Sequence, residues 1–246
     1  MITRDAATHR ATIRAVRITR PLQVDGRLDE VYTRVEPISD FVQMEPHAGE
    51  MSTEKTDLWI LFDDEYVYVT FRCWESHPER MIVNEMRRDN YRLWLGENVA
   101  FMFDTFHDRR NGVEFGITPA GCRYEGQFTN ERLYNGDWNP VWKVAVTRFE
   151  NSWIAESATP FTSLRFRPGR DPIWGFQARR IRPMPGVPFG EQARLLSTSW
   201  CAFIKWAWVT QTRGPLTVRV ATGGGRSHRL ALPAVQPPGQ HGNSRR

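Results

Sequence analysis

Asp104, Asp108 and Asn111 are spaced so that a turn between two strands would gather them at one end of a β-meander. Oxygen donors of this kind suit a hard cation such as calcium. Asp and Asn at hairpin ends commonly cap turns by accepting backbone N–H groups, and turn chemistry is the stronger reading of the same residues. Asp63-Asp64-Glu65 reads as a turn, because the dense ligand spacing of a calcium loop is absent. No catalytic residues stand out. His47, His77 and His107 are isolated, and no Ser or Cys nucleophile motif is present. Paired carboxylates could serve a glycosidase, but spacing selects no pair.

The elements that would position these residues are strands. Val99, Phe101 and Phe103 alternate with Ala100, Met102 and Asp104; after Asp108-Arg109-Arg110-Asn111-Gly112, Val113, Phe115 and Ile117 alternate with Glu114, Gly116 and Thr118. A Pro119-Ala120-Gly121 turn leads into a third run, Tyr124 to Phe128. Lys55 to Trp74 predicts a hairpin that is apolar on both faces and therefore central, and Trp142 to Ala158 predicts another. Thr12 to Thr19 and Trp174 to Ile181 read as strands, Leu28 to Val35 as one helical turn, and Pro78 to Asp89 as the best helix. Trp59, Trp142, Trp153 and Trp174 fall inside strand patterns and belong to a core. The pattern predicts an all-β, jelly-roll-like antiparallel β-sandwich with one short helix.

The net charge of +5 invites a nucleic-acid reading, but its distribution excludes one. Of 33 Lys and Arg, eight lie after Glu191, where no acidic residue occurs; 25 remain against all 28 acids, a charge of −3. No stretch approaches the ~20 apolar residues of a membrane-spanning helix, and no secretory signal pattern opens the sequence. Cys73, Cys122 and Cys201 have no metal-type spacing. Composition divides the chain into an arm over residues 1–12, a sandwich over 13–183, and a low-order basic tail over 184–246 that reads as a disordered tail or as out-of-frame sequence.

Several strings resemble the family 9 carbohydrate-binding module-like domain: AVRITRPLQVDGRLDE (15–30), LFDDEYVYVTFRCWESHPE (61–79), FDTFHDRRNGVEFGITPAG (103–121), DWNPVW (137–142), SWIAESATPFTSLRF (152–166) and WGFQARRIR (174–182). They occur in the family's order from about Ile13 to Arg182. The match is closest to the version in bacterial surface proteins that precedes a predicted outer-membrane β-barrel. The resemblance implies polysaccharide or oligosaccharide binding, an exported or outer-membrane-associated parent protein tied to glycan use, and calcium at Asp104, Asp108 and Asn111. Sugar rings stack on flat aromatic faces, and their hydroxyls are read by Asp, Asn and Arg. That chemistry selects Trp138 with Asp137 and Asn139, Arg88 with Asp89, Trp94 and Trp74 as ligand-binding candidates. Three other readings remain open. The chain is part of an O-glycosyl hydrolase; or a b-type haem sandwich in which Met44, Met86 or Met102 joins a His on iron; or a structural domain of a surface barrel protein.

Overall fold

The computed structural model describes residues 2–4, 11–83, 85–166, 173–184, 186–195 and 216–220. In chain order its strands are β1 (Ile2–Arg4), β2 (Ala11–Arg17), β3 (Phe41–Glu45), β4 (Thr56–Phe62), β5 (Tyr66–Trp74), β6 (Asn98–Asp104) and β7 (Gly112–Ile117). They continue with β8 (Arg123–Thr129), β9 (Leu133–Asn135), β10 (Lys143–Arg148), β11 (Ser152–Pro160), β12 (Ile173–Met184), β13 (Val187–Leu195) and β14 (Leu216–Val220). Helix α1 (Glu30–Arg34) follows β2.

Alternation of apolar residues sets two faces on each sheet, and the two inner faces meet. One layer runs β10-β11-β5-β4, and the other runs β12-β6-β7-β8-β9. The first half of β2 pairs with β14 and its end, Val16–Arg17, pairs with Leu61–Phe62 of β4, so one strand crosses from layer to layer. Both of these pairings are parallel; every other strand pair is antiparallel among the described residues. Phe101, Phe103, Phe115 and Phe176 of one layer face Leu58, Ile60, Val69, Phe71 and Trp153 of the other. The four tryptophans expected in the core are there, none more than 5% exposed.

The outside of the β4-β5-β11 layer is covered by α1 and the loop before it. Tyr32 sits on Trp59, Leu61 and Tyr68. Its hydroxyl donates to Glu156 at 2.9 Å, and the other Glu156 oxygen accepts the N–H groups of Asp25 and Gly26. Gly26 then lies against the backbone of Val146 and Thr147, where an added Cβ would come within 2.9 Å of backbone atoms; its φ of +81° is left-handed, so glycine is required twice over.

At one end of the sandwich a charged network replaces apolar packing. Arg180 of β12 points inward and is almost wholly buried. Its guanidinium meets Glu97 at 2.8 Å and Glu75 at 3.4 Å, and donates to the Trp74 carbonyl at 2.9 Å. Arg182 forks onto both Glu75 oxygens at 2.8 and 3.0 Å. Glu191 of β13 accepts from Ser52 and from the Thr53 backbone, tying β13 to the loop before β4. Burial pushes the Glu97 carboxyl above its usual value against the pull of Arg180. Burial would raise Glu75 as well, but the Arg182 fork outweighs it and the group titrates low.

Three expectations change. Pro78–Asp89 forms only a 3₁₀ turn over Pro78–Arg80, after which Met81 is extended. Its apolar residues make no continuous stripe, and the segment is held as a loop, with the Ile82 carbonyl accepting from Glu97 N–H. The sheet also passes both composition boundaries. β13 pairs with β12 and β3 and buries Ala193 and Leu195, so order continues beyond residue 184. β1 pairs with β2 inside the expected arm. Apart from β14, the remainder of the expected tail lies outside the described residues.

Arg180→Ala leaves the buried Glu97 carboxylate without its ion partner while Glu75 keeps Arg182, and should cost about 3–5 kcal/mol in urea unfolding. Glu75 has a lowered folded value, so its contribution is present above the unfolded carboxyl range near ~4.3 and is lost as pH falls through the lowered value. Arg182→Gln should therefore flatten the acid side of a stability-versus-pH curve measured by thermal melting.

Candidate functional site

The outer face of the second layer is built in rows. Arg179, Ala100, Gly116 and Tyr124 stand side by side across β12, β6, β7 and β8, and Gln177, Met102, Glu114 and Gly126 form the next row. Gly116 leaves a gap that the Tyr124 ring fills: a Cβ there would lie 1.9 Å from the ring. Lying across the gap brings the Tyr124 hydroxyl to Arg179, which donates to it at 3.0 Å and also meets Glu114 at 3.3 Å. Gly126 does the same for Tyr134 of β9, whose ring lies 2.2 Å from the Cβ position. Burial pushes the Tyr124 and Tyr134 hydroxyls up and raises the Glu114 carboxyl, while Arg179, held between Tyr124 and Glu114, keeps its charge.

Trp94 closes this face from above. It belongs to a 3₁₀ turn, Tyr91–Leu95, which starts where the Asn90 side chain accepts the Arg92 N–H. The turn ends where the Asn98 amide donates to the Leu93 and Gly96 carbonyls. Buried Leu93 anchors the turn on Ala100 and Tyr124. The Trp94 ring packs on Tyr124 at 5.4 Å and meets Tyr134 edge-on at 6.1 Å, with the Arg179 guanidinium 5.9 Å from its centre. Trp94 is half-buried and Tyr134 is 41% exposed, so an aromatic edge stays open to solvent above the half-buried Arg179 and its buried partner Glu114. A cleft of about 500 Å³ lies beside it, its lining apolar at Ile82, Val83, Leu93 and Leu95 and polar at Glu85, Arg92, Glu97 and Thr118.

The remaining candidates gather around the edge of β8. Arg88 donates to Asn139 Oδ1 at 2.6 Å, meets Asp89 at 3.2 Å, and pairs with the buried carboxylate of Glu125. Asp89 N–H reaches the Arg123 carbonyl. Trp138 is half-buried, edge-on to Phe115 at 5.6 Å, and the Asp137 side chain is exposed beside it. Of the seven predicted ligand-binding residues, Trp94 lies on the outer face of this layer, whereas Arg88 with Asn139 meets Glu125 and Trp138 meets Phe115, both of which face inward. Trp74 is apart from them in the other layer, its Nε1 donating to Asp57 at 2.8 Å and its ring stacked under Arg72 at 3.8 Å.

Asp104, Asp108 and Asn111 do come together at the β6–β7 turn. Asp104 accepts from the backbone of Asp108 and Arg109, Asp108 from Arg110 and from both nitrogens of Asn111, and Asn111 from Asn130. Each of these oxygens already accepts an N–H, those of Asp104 and Asp108 within the turn itself, and no group of three His, Cys, Asp or Glu side chains that could hold a metal forms among the described residues. The donor set fits turn capping, and no binding step is routed through calcium.

Sequence reasoning missed Arg179, Glu114, Tyr124 and Tyr134. The signal was Gly116 and Gly126, two glycines inside strand patterns, which mark places where another group approaches the backbone closely.

No known protein-family profile matches the chain. Its sequence is 25% identical over 154 residues to endo-1,4-beta-xylanase A of Thermoanaerobacterium saccharolyticum, which covers 62% of this chain. It is 24% identical over 142 residues, 57% of this chain, to exoglucanase XynX of Acetivibrio thermocellus. The chain spans 12% of the length of either relative. Among solved structures, a family 9 carbohydrate-binding module from Caldicellulosiruptor kristjanssonii in complex with glucose superposes with a TM-score of 0.58 at 12% identity, over 90% of this chain and all of that one. The fold is that of a family 9 carbohydrate-binding module. The module from the same organism in complex with cellotriose gives 0.55 at 12% identity, over 92% of this chain and all of that one. In a module fold of this kind the two strand glycines carry consequences for the outer face. Gly116→Ala should expel the Tyr124 ring, cost about 1–3 kcal/mol as overpacking does, and change Trp94 fluorescence in the folded state.

Proposed function

We propose that this chain is a non-catalytic module that binds polysaccharide through the outer face of β12-β6-β7-β8. The observation that carries this reading is the half-open Trp94–Tyr134 aromatic edge set directly over the Arg179–Glu114 pair. A sugar ring stacks on the Trp94 face, which its own turn fixes before binding, and the sugar hydroxyls reach the polar pair. Arg88 with Asn139, and Trp138, turn toward the other face of this layer, so only a longer chain that passes over its edge would meet them. The solved family 9 modules with glucose and cellotriose support the ligand class, and the xylanase and exoglucanase relatives support a parent protein engaged in polysaccharide breakdown. Export to the cell surface ahead of an outer-membrane barrel rests on the sequence resemblance alone.

A glycan array on the full chain, read with calcium and with chelator, should show binding that chelator leaves intact. Loss of binding with chelator would return calcium to the site. On the glycan found, Trp94→Ala should weaken binding about 30-fold or more in titration calorimetry, as truncation of a central aromatic anchor does. Trp138→Ala should also weaken binding to chains of several sugars, with some loss of stability because its edge packs on Phe115. Unchanged affinity in a folded Trp94→Ala protein would refute the assigned face.

A further inference from the structure

One carboxylate oxygen on the outer face has no partner. Glu114 is 2% exposed; its Oε1 meets Arg179, and its Oε2 is buried without a hydrogen bond from any described residue. A buried charged acceptor without a donor is costly, and such atoms in native folds call for an explanation. The surroundings supply one. On one side the register partner of Glu114 is Met102, and on the other it is Gly126, which has no side chain. The place left by Gly126 is filled from outside by the Tyr134 ring. The Tyr134 ring therefore covers the strand position directly beside Glu114.

Tyr134 is held mainly by ring contacts, with Phe128 at 4.9 Å and Trp94 at 6.1 Å. It comes from β9, a three-residue strand with all three residues exposed, and its hydroxyl reaches the Glu125 carbonyl at only 3.4 Å. Rotation of this one side chain would uncover the Gly126 backbone and Glu114 while Trp94, held by its own turn, stays in place. We propose that Glu114 Oε2 accepts a hydroxyl of the bound sugar, and that Tyr134 is the ring that swings aside to admit it. Glu114 and Arg179 then form an acceptor and a donor side by side, reading two neighbouring hydroxyls in opposite senses. The inference rests on the sugar-binding reading of this face and names the residue that sets its hydroxyl selectivity.

The test is calorimetry of the full chain with glucose and its monodeoxy analogues, for wild type, Glu114→Gln and Trp94→Ala. Wild type should lose about tenfold to a hundredfold against one deoxy position, the range of a hydrogen bond to a charged group, and Glu114→Gln should lose nothing further at that position. A uniform loss across all analogues in folded Glu114→Gln would assign Glu114 to sheet stability and overturn the proposal. Gly126→Ala and Tyr134→Ala, which displace or remove the ring by independent routes, should raise the association rate severalfold in stopped-flow. Unchanged rates in both would overturn the gate, and they decide this even if Glu114→Gln does not fold. Full affinity in Trp94→Ala, or silence of wild type on every sugar, would instead remove the sugar site itself and the proposal with it.

Discussion

A buried arginine holds the two layers in register at the end nearest the candidate site. Arg180 has no solvent to stabilise its charge, so Glu97, Glu75 and the Trp74 carbonyl must all be where they are. Each belongs to a different part of the chain: the end of β5, the loop after it, and the approach to β6. Glu97 is three residues from Trp94, and the turn that carries Trp94 cannot shift without pulling Glu97 from its partner. An ionic constraint inside the sandwich thus fixes an aromatic side chain outside it.

The strand that supplies this constraint also supplies the polar floor of the outer face. Along β12 successive side chains point to opposite faces, so Arg180 enters the core end while Arg179 faces Trp94 and Glu114. The pair of adjacent arginines is one device with two directions. On the neighbouring strands glycine has the complementary part, since Gly116 and Gly126 leave room for Tyr124 and Tyr134 to lie flat on the sheet. Arginines below and glycines beside them together make a surface of rings over charge.

The period-two runs at Val99–Phe128 and Lys55–Trp74 were sufficient to read the strands, because alternation of bulky apolar residues is a local signal that burial reinforces. The four core tryptophans were legible for the same reason. Pro78–Asp89 was not, because its conformation is decided by the sheet face that it crosses and by the Ile82–Glu97 hydrogen bond, neither of which is local. The site was legible in part. Trp94 and the Arg88–Asn139 group carry residue types that stand out, whereas Glu114 and Arg179 resemble any charged residues until the register places them across from one another. Asp104, Asp108 and Asn111 show that proximity can be read from spacing while the use of the oxygens cannot.

The glycine-bearing loop folded over β10 has a consequence for how copies of the chain behave together. β10 closes its layer, and an outermost strand ordinarily offers unpaired backbone groups to any other strand that drifts alongside. Here Gly26 lies on the backbone of Val146 and Thr147, and Glu156 fastens the loop from within the sheet. The last strand is therefore shuttered along its middle by the protein's own chain. Crowding of many copies then meets a closed border at this side, and the sheets are kept from knitting into one another.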